Sequence, residues 1–317
     1  MKVFLTGAAG FIGKAVVAEL AKRNHEVVGL VRSEEKGKAI EKLGGRYVIG
    51  DLLKEGPWTD EVKSSYRIIS LTWPVKFHDR ANLDTMVECN LKHARAVTNL
   101  IKAAKHGEAR SILATYDTLC LGDKSDKWIE EPGKLAPVGF GRVIANAYDE
   151  IMRASVDAGI PLVNVFPGRA YGNGGWFAYM VERIQKGTWK LAGKGDNYMP
   201  LIHVEDLAWA FAEATERLTH DASFAIADGM SNTQAEFTNY VADLLGAARP
   251  QPMDFHEFAE IEGIMLAESL ATSARVSNVK AEKLLDFNPV YADFHEGVFA
   301  ALKALGYDVM HAKEKAA

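Results

Sequence analysis

Apolar residues recur in two periods along the first half of the chain, and the alternation of those periods predicts a layered α/β fold. Short, nearly continuous apolar runs read as buried parallel strands at Lys2–Thr6, Glu26–Val31, Tyr47–Ile49, Tyr66–Leu71, Ser111–Tyr116 and Leu162–Val165. Between them, apolar residues at three- and four-residue spacing predict helices over Phe11–Arg23, Glu34–Leu43, Leu83–Lys105 and Val143–Ala158. Gly and Pro punctuate the joins at Gly44-Gly45, Gly56-Pro57, Gly107 and Gly159-Ile160-Pro161. Strand and helix in strict turn give a doubly wound parallel sheet covered on both faces. From about Pro167 the alternation fades into loops rich in Gly and aromatic residues. The expectation is a sheet domain over residues 1–166. Residues 167–317 would form mainly a smaller substrate lobe, with segments returning to the sheet.

The join between the first strand and the first helix carries the most chemistry. Gly7, Gly10 and Gly13 fall where a tight turn, a close approach of backbone to a pyrophosphate, and close packing of helix on strand each call for a missing side chain. Phe11 and Ile12 open the helix, whose free amides and positive dipole end face any phosphate. This predicts a Rossmann dinucleotide site. Ligands in such sheets sit beyond the carboxyl ends of the strands, so the residues just after each strand matter next. Arg32 and Ser33 follow the second strand. An acidic residue there would hold the ribose hydroxyls of NAD, whereas Arg and Ser suit a 2′-phosphate, so NADP is expected, with NAD possible. Asp51 and Leu52 follow the third strand and would meet the adenine. Thr72 and Trp73 follow the fourth, with Thr72 the polar contact along the middle of the cofactor.

Bulk properties narrow the rest. A chain of 317 residues can bury a full core, and 48% apolar with 25% charged residues is the composition of an ordinary globule. A formal charge of −5 supplies no basic field for nucleic acid or an anionic membrane. The two cysteines, Cys89 and Cys120, make no metal-binding or disulfide pattern, and lone histidines such as His78 and His93 have no ligand spacing, so no metal is expected. The first strand begins at once and no apolar run reaches membrane length, which leads us to expect a cytoplasmic protein.

Several separate motifs, in order, make the chain resemble the extended short-chain dehydrogenase/reductase family, the NAD(P)-dependent epimerase/dehydratase group. Thr6-Gly7-Ala8-Ala9-Gly10-Phe11-Ile12-Gly13 resembles its glycine motif, and Gly50-Asp51-Leu52 its adenine-contacting turn. Asn90 is similar to the helix Asn that braces the sheet. Phe166-Pro167-Gly168-Arg169-Ala170-Tyr171-Gly172 resembles the turn bordering the nicotinamide, which gives Pro167 a cofactor role. Leu201-Ile202-His203-Val204-Glu205-Asp206-Leu207-Ala208 resembles a segment of the substrate lobe, and Asn288-Pro289 with Phe294-His295-Glu296-Gly297 the closing helix. The resemblance implies hydride transfer on a small polar substrate, sugar-derived or a hydroxy or keto compound, or an epimerase, dehydratase or lyase that recycles the hydride internally, and pairing of the helices over Leu83–Lys105 and Val143–Ala158 into a homodimer.

The family's acid/base chemistry rests on a Tyr, a Lys four residues later, and a Ser or Thr after the fifth strand. Aligning Gly122 with the Gly that follows the Ser/Thr site puts Asp117 at that site. Aligning Glu150 with the Glu beyond the Tyr-Lys pair puts Arg142 and Asn146 at Tyr and Lys. No frame restores the pair, since the residue four after Tyr148 is Met152. Asp117 and Arg142 are therefore expected to act as a replacement pair, a carboxylate base and a guanidinium that clamps an anion. Alternatively they form a buried salt bridge in a site without chemistry, leaving an NADP(H)-binding sensor or scaffold. Tyr116 stands beside the replacement pair in sequence. Arg169, Tyr171 and His203 are substrate candidates on nearby loops, and Trp73, Trp176 and Phe177 could wall an apolar substrate or pack the two lobes.

Overall fold

A computed structural model of the chain describes residues 1–72, 83–130 and 132–309, with the backbone alone described for 83–86. The first half runs β1 (Lys2–Thr6), α1 (Phe11–Lys22), β2 (Glu26–Val31), α2 (Glu34–Glu41), β3 (Arg46–Ile49), α3 (Trp58–Lys63), β4 (Arg67–Ser70), α4 (Leu83–Ala104) and β5 (Ile112–Thr115). Then come β6 (Trp128–Ile129), α5 (Gly141–Ala145), α6 (Tyr148–Ala158) and β7 (Leu162–Pro167). Seven strands form one parallel sheet in the order β11 (Ala222–Ile226), β7, β5, β4, β1, β2, β3, so the order reverses between β1 and β4. The central strands are apolar at most of their interior positions because both faces are covered. Phe4, Val28, Ile68 and Ile112 pack on one side, and Val3, Val27, Ile69 and Leu113 on the other. The six expected strands are present, β1 and β2 with the expected ends and the other four with ends shifted by one or two residues, which is ordinary fraying of a pattern-based boundary.

One expected helix differs. The segment predicted as a single helix over Val143–Ala158 is two helices with a break at Asn146 and Ala147. Its start is wound tightly, with Arg142 N–H donating to Gly139 and Val143 N–H to Phe140, three residues back instead of four. The cause is close packing on the turn after β5. A side chain at Gly141 would lie 2.4 Å from the Leu119 carbonyl, so the backbones touch directly. Ala147 N–H then bonds to Ile144 in the same tight manner before α6 begins.

The second half interleaves with the sheet. It adds β8 (Arg169–Tyr171), α7 (Gly175–Gln185), β9 (Lys190–Ala192), β10 (Leu201–His203) and α8 (Val204–Arg217) before β11 closes the sheet edge. It continues through α9 (Gln234–Leu245), β12 (Gln251–Met253), α10 (Phe255–Glu262), α11 (Ile264–Ala271), β13 (Arg275–Val276), α12 (Val279–Leu285) and α13 (Phe294–Ala304). Three two-stranded parallel pairs, β8 with β10, β9 with β12 and β6 with β13, stitch these pieces together. A separate aromatic core built on Phe177, Phe237 and Phe294 fills this lobe. Among the described residues no helix is long and apolar enough to cross a membrane.

Candidate active site

A cleft of about 460 Å³ opens at the carboxyl ends of β1, β4, β5 and β7, where the sheet order reverses. Its floor is the first glycine loop. Gly7 has φ of +71°, and a side chain on Gly13 would sit 2.1 Å from the Gly7 carbonyl, so the turn and the helix are locked against each other. Gly10 stands at the α1 N-cap with neither a capping side chain nor an acidic residue in the first turn. A side chain on Gly10 would project from the loop, with the Gly7 carbonyl as its one close neighbour at 3.1 Å. The helix end is thus an uncapped positive terminus facing the cleft, and it fits the pyrophosphate of a dinucleotide. Phe11 and Ile12 line the same wall.

The remaining cofactor candidates lie along one edge. Thr72 donates through Oγ1 to Thr6 Oγ1 at 2.7 Å, which ties the loop after β4 to β1 at the cleft. Arg32 is exposed beyond β2, and Ser33 caps α2 by accepting from the Lys36 amide. Asp51 accepts from the Leu53 amide in the turn after β3, while Leu52 is buried and its carbonyl accepts from Asn99. Pro167 lines the cleft opposite the glycine loop. Trp73 lies outside the described residues.

On the catalytic side the structure brings together a different pair from the one read in the sequence. Asp117 lines the cleft, and its Oδ1 accepts from the Leu119 amide, capping the short turn Thr118–Cys120. Facing it is Arg169, whose Nη2 donates to the Ser269 carbonyl of α11 at 2.7 Å and whose guanidinium lies 5.4 Å from the Trp176 ring. Burial lowers the pKa of Arg169, and the Asp117 carboxylate works against that shift. Arg142 instead projects from the exposed side of α5 and pairs with Glu268 of α11, and Asn146 is exposed at the helix break. The separation follows from the tight turns of α5, which place neither residue in the cleft wall.

Tyr116 reaches the cleft from the end of β5 but is almost wholly buried, stacked on Phe166 at 5.0 Å and edge-on to Tyr148 at 5.2 Å. Burial raises its pKa steeply, so it stays protonated. Tyr148 is half-buried against the core, and burial raises its pKa. Tyr171 and His203 stand in the core behind the wall, their rings 5.3 Å apart. His203 caps α8 by accepting from Glu205, and burial pushes its pKa down to about 4. Phe177 is core as well, while Trp176 lines the cleft. The sequence reading missed Thr115, Phe140, Tyr179, Trp189 and the α11 residues Leu266, Ser269 and Leu270, all in the lining. The α11 residues are a hundred positions from Arg169, and no local pattern marks them.

Residues 3–227 match the NAD-dependent epimerase/dehydratase family. The chain belongs to that family. An uncharacterised protein of Schizosaccharomyces pombe is 30% identical over 230 residues, which is 69% of this chain and 72% of that protein. The solved UDP-glucuronic acid 4-epimerase of Bacillus cereus, in complex with UDP-glucuronic acid and NAD, superposes with a TM-score of 0.78 at 16% identity, covering 96% of this chain and 99% of that one. A human epimerase family protein with NADPH gives a TM-score of 0.77 at 19% identity, covering 96% and 99%. At those identities the two structures speak to the fold.

Proposed function

We propose that this family member is an NADP-preferring oxidoreductase, able to use NAD, that oxidises or reduces a small substrate at a hydroxyl or keto group. The observation that carries this reading is that Asp117 and Arg169 line one cleft, close enough for their charges to interact, beside the uncapped glycine loop. A nicotinamide held there supplies the hydride acceptor or donor. In the oxidation direction the substrate carbon gives up its hydride, and the hydroxyl proton passes to an Asp117 carboxylate oxygen. Arg169 orients the substrate and stabilises the oxyanion as that proton leaves. Arg32 would meet the 2′-phosphate, and the Gly7–Gly13 loop the pyrophosphate. Asp117→Asn keeps the cap to Leu119 but loses the base. It should lower kcat by about 10²- to 10⁴-fold, with nucleotide affinity unchanged. Full activity in that variant would sink the assignment.

The cap made by Asp117 also supports a second reading, a chain that binds NADP(H) without turnover and reports its redox state. No turnover across a panel of hydroxy and keto compounds, together with unequal affinities for NADP+ and NADPH, would favour that sensor.

A further inference from the structure

The cleft walls away from the glycine loop have a consistent chemistry. Trp176, Tyr179 and Trp189 of the second lobe, with Leu266 and Leu270 of α11 and Phe140 of the facing loop, present apolar and aromatic surface. Set into that surface is the one cationic side chain among the described lining residues, Arg169. A guanidinium carries five N–H donors. Among the described residues the hydrogen bond found for this one is to the Ser269 carbonyl, with the Trp176 ring alongside. Asp117 is the carboxylate that offsets its burial. A half-buried cation with so few bonds made has donors left for a ligand to take up, and an anion that does so recovers the cost of its partial removal from water. Planar, forked donors match a carboxylate. The cleft must also admit a nicotinamide within about 460 Å³, so the substrate is of modest size. A sugar nucleotide would instead need many polar partners along these walls.

We infer that the substrate is an apolar 2-hydroxy or 2-oxo acid, its carboxylate held by Arg169 and its aromatic or branched aliphatic body seated among Trp176, Trp189 and Leu266. This rests on the oxidoreductase reading above. The chemistry is the oxidation of the alcohol carbon by loss of hydride to the nicotinamide and of the hydroxyl proton to Asp117, or its reverse.

The test is a binding titration followed by calorimetry and tryptophan fluorescence. NADP+ is titrated first, and then 3-phenyllactate, 2-hydroxy-4-methylpentanoate, lactate, uncharged 1-phenylpropan-2-ol and UDP-glucose are titrated into the loaded protein. One of the two apolar acids should bind at least about tenfold tighter than both lactate and the uncharged alcohol. Arg169→Gln should erase the advantage over the alcohol, and Trp176→Leu the advantage over lactate, with thermal melts confirming that each variant folds. If Arg169→Gln does not fold, Arg169→Lys serves in its place and should lose most of the preference. Tighter binding of UDP-glucose, or no preference for the acids in loaded protein, overturns the inference alone. Failure of both NADP+ and NAD+ to bind overturns the oxidoreductase reading instead. Acid binding that still depends on Arg169 would then leave the inference about this pocket standing.

Discussion

Arg32 and Arg169 show how position decides what a guanidinium can do. Arg32 is exposed at the end of β2, where water and salt screen its field and a ligand gains from it chiefly through direct hydrogen bonds. Replacing Arg32 with Ala should weaken NADP+ binding by about ten- to a hundredfold and leave NAD+ nearly unchanged, as read by parallel titrations. Equal losses for both nucleotides would mean that Arg32 does not meet the 2′-phosphate. Arg169, by contrast, is held by Ser269 and Trp176 before any ligand arrives, so little ordering remains when an anion binds. The glycine loop was legible in the sequence because each glycine answers a local steric demand. The Arg169 partners were not, because a carbonyl on a helix a hundred residues away leaves no mark on the spacing around residue 169.

At the scale of elements, the split between α5 and α6 explains why a family alignment assigns Arg142 a place in the cleft and the structure gives it another task. Arg142 pairs with Glu268, whose Oε2 also accepts from the Gly139 amide, and Ser269 Oγ accepts from the Phe140 amide. Residues 139–142 therefore dock α11 over the substrate end of the cleft. Arg142→Ala should cost under about 1 kcal/mol of stability, since the pair is half-exposed, and should raise KM more than it lowers kcat. A collapse of kcat with KM unchanged would instead return Arg142 to the chemistry. The periodicity of 143–158 gave no warning of the break. Tight and regular turns differ by one residue in pairing, and the contact that forces the tight form, Gly141 against the Leu119 backbone, is tertiary.

For the whole molecule, buried ionisable groups set opposing pH dependences. Asp228 is buried beside the Met230 amide and Asn232, and burial raises its pKa to about 7. Between about pH 4 and 7 the native state keeps a proton that the unfolded chain has released, so this group lowers stability as pH rises through that window. His203 and His93, held down to about 4 by burial, act the other way and lose stability as pH falls from 6.5 to 4. Asp228→Asn should therefore gain stability relative to the parent between pH 5 and 8, measured by urea midpoints, and a constant difference would discount Asp228. We also propose that the chain pairs with itself through α4 and α6, where Val87, Leu91 and Val156 are 60%, 69% and 76% exposed. Leu91→Glu should shift the sedimenting species to a monomer, and an unchanged profile would exclude that face. The arginine of the cleft is carried by β8, which lies outside the seven-stranded sheet, and is steadied by α11, whereas the glycine loop at the start of α1 belongs to neither. On the reading proposed above, substitutions confined to α11 would alter the hold on Arg169 and the acid accepted without touching the glycine loop, which makes α11 the exchangeable part of the molecule.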